Sequence, residues 1–248
     1  DRRPLSKAEN MRMRMLSTRA RPPITLSSRD EVMAHIAHTA LWELDCTVCG
    51  GFVRDWVICG RDANDIDMTS PWAHRSRDDP FVEIERAFMS FGRKYGLRIV
   101  AKDVRDHRGR VVCRRLVTSG GWAGKPIDID LSLPQGSGME PGVEADTSNL
   151  CLRPRGVLGR KVKSAGARIP LVTTMQHCLE RRFVFFYNLE SRDANDSQVA
   201  KYRLEKYLKR QWKCLTRRPS WIGVNHELYS RFIPGTEWED VHWWNDTA

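Results

Sequence analysis

The sequence predicts an α+β fold: a mixed central sheet flanked by helices over residues 28–155, a basic helical region over 156–248, and a flexible basic arm over 1–27. Three observations carry that expectation. Acidic and apolar residues alternate with period two at Asp65-Ile66-Asp67-Met68 and again over 127–133, the pattern of strands with one face buried. Between these runs Phe81, Ile84, Ala87, Phe88 and Phe91 recur at helical spacing and stop at Gly96. From Val172 onward two long helical patterns follow, 171–189 and 197–215, joined by a polar turn.

Taken in order, the arm carries Arg2, Arg3, Lys7, Arg12, Arg14, Arg19 and Arg21 and ends in Pro22-Pro23. Order begins at Ser27-Ser28, an N-cap with Asp30 and Glu31 in the first turn of a helix running to about Glu43. His35 and His38 lie on this helix and read as surface or packing residues. A strand over 44–49 ends at Gly50-Gly51, and a short helix over 52–59 is closed by Gly60. The strand at 65–68, the helix at 80–95, strands at 97–102 and 111–117, and the strand at 127–133 follow. Residues 134–143 are rich in Gly and Pro and read as a loop. The acidic tail from Gly235 carries Trp238, Trp243 and Trp244 and takes no assigned role.

Composition narrows the class. The 248 residues are 41% hydrophobic and 29% charged, which permits a core and excludes wholesale disorder. No run approaches the 18 or so apolar residues of a membrane span. The first residues alternate Met with Arg, so no secretory signal is expected; the chain opens at Asp1, with which a removed leader is compatible. A net charge of +10 and a pI of about 9.5 favour a polyanionic partner. Seven cysteines at irregular spacing fit a reducing intracellular compartment, cytoplasm or nucleus. Cys46 and Cys49 form a lone CxxC on a strand, where residues three apart point to opposite faces, so zinc is not expected.

The informative segment is Cys49-Gly50-Gly51-Phe52-Val53-Arg54-Asp55, then Gly60, then Asp65-Ile66-Asp67. It reads as a strand, a glycine pair at a tight turn, a helix start, and a second strand. Backbone N–H groups at such a start can cradle phosphate oxygens, and only glycine lets the backbone approach so closely. Arg54 can add a fork of donors to a phosphate, with Asp55 orienting Arg54 or capping the helix. Asp65 and Asp67, two apart on a strand, face the same way and repel unless a cation sits between them. Mg²⁺, a hard ion that retains phosphate oxygens as ligands, suits that position.

This order resembles the signature of the nucleotidyltransferase superfamily that includes DNA polymerase beta. It is most similar to the head domain of class II tRNA nucleotidyltransferases and bacterial poly(A) polymerases, with its G-G-x-V-R-D, G, and D-I-D pattern. The resemblance covers about residues 30–155 and makes 28–155 the catalytic domain. It implies a third acid on a later strand, for which Lys125-Pro126-Ile127-Asp128-Ile129-Asp130-Leu131-Ser132 supplies two candidates. Asp130 is preferred, because Asp130-Leu131-Ser132 resembles the acid-aliphatic-Ser run of eukaryotic terminal transferases; Asp128 is the alternative. Asp146-Thr147-Ser148-Asn149-Leu150 is a loose counterpart of the family's R-D-F-T-I-N-A-L segment, which brings Asn149 to the nucleotide. No counterpart of the E-D-x-x-R base-selection motif is present, and Glu180-Arg181-Arg182 is the nearest approach.

The resemblance implies transfer of a nucleoside monophosphate from a nucleoside triphosphate to an acceptor hydroxyl, with pyrophosphate leaving. Asp65, Asp67 and Asp130 would be the catalytic acids and hold two Mg²⁺ or Mn²⁺ ions about 4 Å apart. Gly50, Gly51 and Arg54 would hold the β,γ-phosphates. The basic region beyond 155 points to an RNA 3′ end as acceptor, bound through phosphates. Two alternatives stay open: a non-catalytic nucleic-acid-binding module on the same fold, and a toxin-type enzyme modifying tRNA or protein. The high Arg and Trp content and compact head are compatible with a viral origin.

Overall fold

The computed structural model describes residues 12, 15–20, 26–69, 79, 81–105, 109, 111–132, 145–148, 150–154, 156–160, 171–185, 194–215 and 238–241. It is a mixed α+β structure with a mostly antiparallel sheet and several helices. The described residues fall into two compact units. One holds those up to 132 together with 152–154 and 156; the other holds 145–148, 150–151 and the described residues from 157 to 241.

Helix α1 (Arg29–His38) starts as the sequence predicts. Ser28 is extended, and its hydroxyl accepts the Glu31 amide at 3.2 Å, while Glu31 accepts the Ser27 amide at 2.8 Å and its hydroxyl at 2.9 Å. This reciprocal cap satisfies donors that a helix start leaves orphaned. The helix then widens over Thr39–Glu43, closed by Leu44 N–H to Thr39 O at 3.1 Å and Cys46 N–H to Ala40 O at 2.8 Å. Those bonds engage the backbone of 44–46, so β1 (Thr47–Cys49) is shorter than the expected 44–49. His35 and His38 are buried in the packing, and His38 Nε2 donates to Thr18 O at 2.9 Å.

Of the basic segment over 1–27, the described residues include Arg12 and 15–20, and several of these contact the fold. Arg12 donates to both oxygens of Asp30, at 3.0 and 2.5 Å, and its guanidinium lies 4.5 Å from the centre of the Trp56 ring. Met15 and Leu16 are buried, and Trp42 Nε1 donates to Leu16 O at 3.0 Å. A carboxylate and an indole face together satisfy the guanidinium, so a basic segment can settle on the fold.

The sheet of the first unit runs β1-β2-β5-β4-β3, with β2 (Asp65–Thr69), β3 (Arg98–Arg105), β4 (Val111–Ser119) and β5 (Ile127–Ser132). β2 and β5 are parallel, and the other neighbours antiparallel. Between β1 and β2 lies the short helix α2 (Phe52–Ile58), with Phe52 and Trp56 fully buried and their rings stacked at 4.9 Å. Helix α3 (Val82–Tyr95) starts two residues later than predicted, behind an Asp79 carboxylate that accepts the Phe81 amide at 2.9 Å. It ends at left-handed Gly96, as the sequence predicts.

The two faces of this sheet differ sharply. Ile66, Met68, Leu116, Ile129 and Leu131 are fully buried on one face. Helix α3 packs there, since a Cβ on its Gly92 would come within 3.0 Å of Ile99 on β3. Full burial of each such side chain stabilises by about 1.5–3 kcal/mol. A one-residue slip would exchange these apolar side chains for carboxylates, so packing on this face fixes which residues occupy the other.

In the second unit, α4 (Leu171–Leu179) stops well before the predicted 189. Arg181 takes a left-handed φ of 53°, and Arg182-Phe183-Val184-Phe185, rich in aromatic and β-branched residues, continues extended. β8 (Arg182–Phe183) then pairs in parallel with β9 (Lys213–Cys214), which follows α5 (Ala194–Lys209). β6 (Leu150–Arg153) precedes β7 (Gly156–Arg160), whose residues 157–160 pair with β10 (Trp238–Val241). The region expected to be helical is therefore mixed. Its core centres on Phe183 stacked on Tyr207 at 4.4 Å, with Trp212 edge-on to Tyr207 at 5.4 Å. Buried Asp146 accepts the Thr147 and Val184 amides, each at 2.8 Å, and faces His177 Nδ1 at 2.6 Å.

Candidate functional site

The site begins at the turn between β1 and α2. Gly50 has a φ of 72°, a conformation costly for any residue with a side chain. Space makes the same demand, because a Cβ there would lie 2.7 Å from Asp67 Oδ2. The backbone of the turn thus passes directly over the Asp67 carboxylate. Gly51 has more room: a Cβ would meet Arg54 Nη2 at 3.7 Å, Asp65 Oδ1 at 3.8 Å and Asp55 Oδ2 at 4.0 Å. The glycine pair, Arg54, Asp55, Asp65 and Asp67 are accordingly brought together.

Asp65 and Asp67 occupy the face of β2 opposite its buried Ile66 and Met68. In the parallel ladder Asp65 stands opposite Asp128, Asp67 opposite Asp130, and Thr69 opposite Ser132. The hydroxyls of Thr69 and Ser132 are 3.5 Å apart, so paired side chains share this face. Four carboxylates therefore lie on one surface, next to the glycine turn. Asp130 is the candidate aligned with Asp67; Asp128 is aligned with Asp65.

One further residue enters the cluster that the motif reading missed. Arg115 on β4 stands opposite Asp130, and its Nε and Nη2 each donate to an Asp130 oxygen at 2.7 Å. Its Nη1 lies 3.5 Å from Asp128. The neighbouring Arg114 points to the other face by strand alternation and binds Asp79, Glu85 and Asp103 at 2.8, 2.7 and 2.8 Å. The signal for Arg115 was present: a strand reading Cys113, Arg115, Val117 at period two, beside a strand whose alternate positions include Asp128 and Asp130. Cys113 reports the same field, its thiol pushed up to about 12 by burial and by the Asp130 and Asp67 carboxylates, with Arg115 opposing.

Arg54 is buried, and its Nε and Nη2 donate to Asp55 at 3.1 and 2.6 Å. Its guanidinium is thereby held beside the turn. Arg153 Nε donates to Thr47 Oγ1 at 3.1 Å, and Thr47 stands opposite Thr69 at the far end of the acidic face. Asn149 lies outside the described residues. Among the described residues no group of three or more His, Cys, Asp or Glu is gathered around one point as a ready-made metal site. Arg115 occupies both oxygens of the carboxylate that would complete one. The donors present, hard carboxylate oxygens with a guanidinium already meeting their need for positive charge, nevertheless have the chemistry that suits Mg²⁺ or Mn²⁺. Among the described residues no helix is long and apolar enough to cross a membrane.

No protein-family model, curated protein or solved structure matches the chain.

Proposed function

We propose that the chain is a metal-dependent nucleotidyltransferase that moves a nucleoside monophosphate from a nucleoside triphosphate to an acceptor hydroxyl. The observation that carries this reading is the register of β2 on β5: Asp65 and Asp67 face Asp128 and Asp130 beside Gly50, whose missing Cβ admits the Asp67 carboxylate.

In this reading Asp65, Asp67 and Asp130 would hold Mg²⁺ or Mn²⁺, which would supply Lewis-acid stabilisation of the charge that develops on phosphate. The chain's own groups do the rest. The Gly50-Gly51 backbone approaches the triphosphate as no bulkier pair could, and Arg54, held by Asp55, presents fixed positive charge beside it. The acceptor oxygen bonds to the α-phosphorus, the bridging bond to pyrophosphate breaks in line, and the hydroxyl proton passes to water.

An RNA 3′ end is the acceptor this reading favours. Helix α5 exposes Lys201, Lys206 and Lys209, and Arg210 is exposed just after it, with Glu205 3.7 Å from Lys209. Together with the +10 balance, that surface suits phosphate contacts, which a salt titration would weaken steeply.

The Arg115–Asp130 pair favours a second reading, in which the same fold binds nucleic acid without catalysis. Incubation of the purified chain with each α-labelled triphosphate, Mg²⁺ or Mn²⁺, and total RNA separates the two. Label on a tRNA-sized species or a homopolymer smear supports transfer to RNA. Label on protein would make the acceptor a protein, and no label anywhere would contradict transfer altogether.

A further inference from the structure

We propose that Arg115 is the resident counter-cation of the third carboxylate, and that a divalent ion engages Asp130 only as Arg115 is displaced toward Asp128. The inference rests on the metal-dependent reading above.

Its basis is the arrangement of three side chains on one sheet face. Asp130 is surrounded by negative charge, with Asp67 across the parallel ladder and Asp128 two residues away on the same side. Without a partner these groups would repel. Arg115 meets both Asp130 oxygens at 2.7 Å, which leaves the carboxylate fixed, charged and neutralised. A cation arriving at Asp130 has to take at least one of those oxygens from the guanidinium.

Displacement has a defined path. The Arg115 side chain is 40% exposed, whereas that of Asp130 is 16% exposed, so the guanidinium has open space on one side. Its Nη1 is already 3.5 Å from Asp128, whose side chain is 35% exposed. A small rotation about the side-chain torsions closes that distance and keeps the guanidinium ion-paired throughout. A partly exposed ion pair is weak enough for a doubly charged ion to compete with it. The two acids of β5 then hold different roles: Asp130 as the ligand exchanged between arginine and metal, Asp128 as the receiving group for the arginine. Arg115 acts through Asp130 and is a positioning residue.

Mn²⁺ binding without nucleotide, followed by the loss of the free-ion paramagnetic resonance signal, tests this directly. The full chain is compared with Arg115→Met, Arg115→Lys and Asp67→Asn. Arg115→Met should bind Mn²⁺ about tenfold more tightly than the unaltered chain, a change equivalent to about 1.4 kcal/mol. In EDTA its melting temperature should fall, and Mn²⁺ should raise it more than it raises that of the unaltered chain. Arg115→Lys, which keeps the charge without the planar fork, should fall between the two and serves if the methionine variant does not fold. Equal or weaker Mn²⁺ binding in both arginine variants, with binding reduced in Asp67→Asn, would overturn the displacement while sparing the metal site. Absence of saturable binding in every protein would overturn both.

Discussion

Asp67 of β2 stands directly opposite Asp130 of β5, and Asp65 directly opposite Asp128, in a ladder where like charges face one another. Such pairs cost stability unless a cation offsets them, as Arg115 does at Asp130. Asp65→Asn should raise stability in EDTA by about 0.5 kcal/mol in urea denaturation, while nucleotidyl transfer falls. A loss of more than about 1 kcal/mol would give Asp65 a structural role instead.

Gly50 and Gly96 separate backbone strain from site geometry. Both are left-handed, with φ of 72° and 68°, so alanine at either should cost about 1–2 kcal/mol. Nothing lies within 4 Å of a Cβ on Gly96, whereas one on Gly50 would strike Asp67 at 2.7 Å. Gly50→Ala should therefore abolish transfer and Gly96→Ala leave it intact, compared at a temperature where both variants are folded. Equal activities in the two variants would remove Gly50 from the site.

Arg12 ties an early basic segment to the first unit. Its side chain is 11% exposed, and its two bonds to Asp30 are joined by the Trp56 ring face. Arg12→Ala should lower stability by about 1–3 kcal/mol, with Arg12→Lys recovering only part of it. Trp56 fluorescence should follow the change, since Trp56 Nε1 also donates to Asp30, at 2.6 Å. An unchanged melt would return Arg12 to the role of a loose arm.

Asp146 sets a pH dependence in the second unit. Burial raises its carboxyl above the ordinary aspartate value of 3.8, against His177 and the Thr147 and Val184 amides, which lower it. Folding therefore binds a proton here more tightly than unfolding does. The associated stability is fully present below 3.8 and is lost as pH rises through the raised folded value. Asp146→Asn should flatten that decline in denaturation profiles taken from pH 3 to 7, and a steeper decline would contradict it.

Much of the first unit was legible because its signals are local. The alternation of Asp65-Ile66-Asp67-Met68 and of Ile127–Ser132 needs only period two, and Gly60 and Gly96 end helices through a conformation that glycine favours. The sequence showed Asp65, Asp67, Asp128 and Asp130 as acids on strand faces, but not which stand opposite one another. That register comes from long-range packing of Ile66, Met68, Ile129 and Leu131. Arg115 shows in the sequence only as a basic residue at period two beside an acidic strand; that it stands opposite Asp130 is set by the same long-range packing. The long helix predicted over 171–189 failed where Phe183, Val184 and Phe185 gained more from pairing near β9 than from continuing the helix. The docking of Arg12 depends on Asp30 and Trp56, residues far from it in the chain.

The most direct test is pyrophosphate release by Asp67→Asn, with a nucleoside triphosphate, Mg²⁺ and total RNA, in protein shown by circular dichroism to retain its fold. If Asp67 holds the metal as proposed, replacing its carboxylate should reduce turnover by at least about a thousandfold, with the unaltered chain active beside it. Turnover by a folded Asp67→Asn variant at a rate near that of the unaltered chain would contradict the assignment of this acidic face as a catalytic centre.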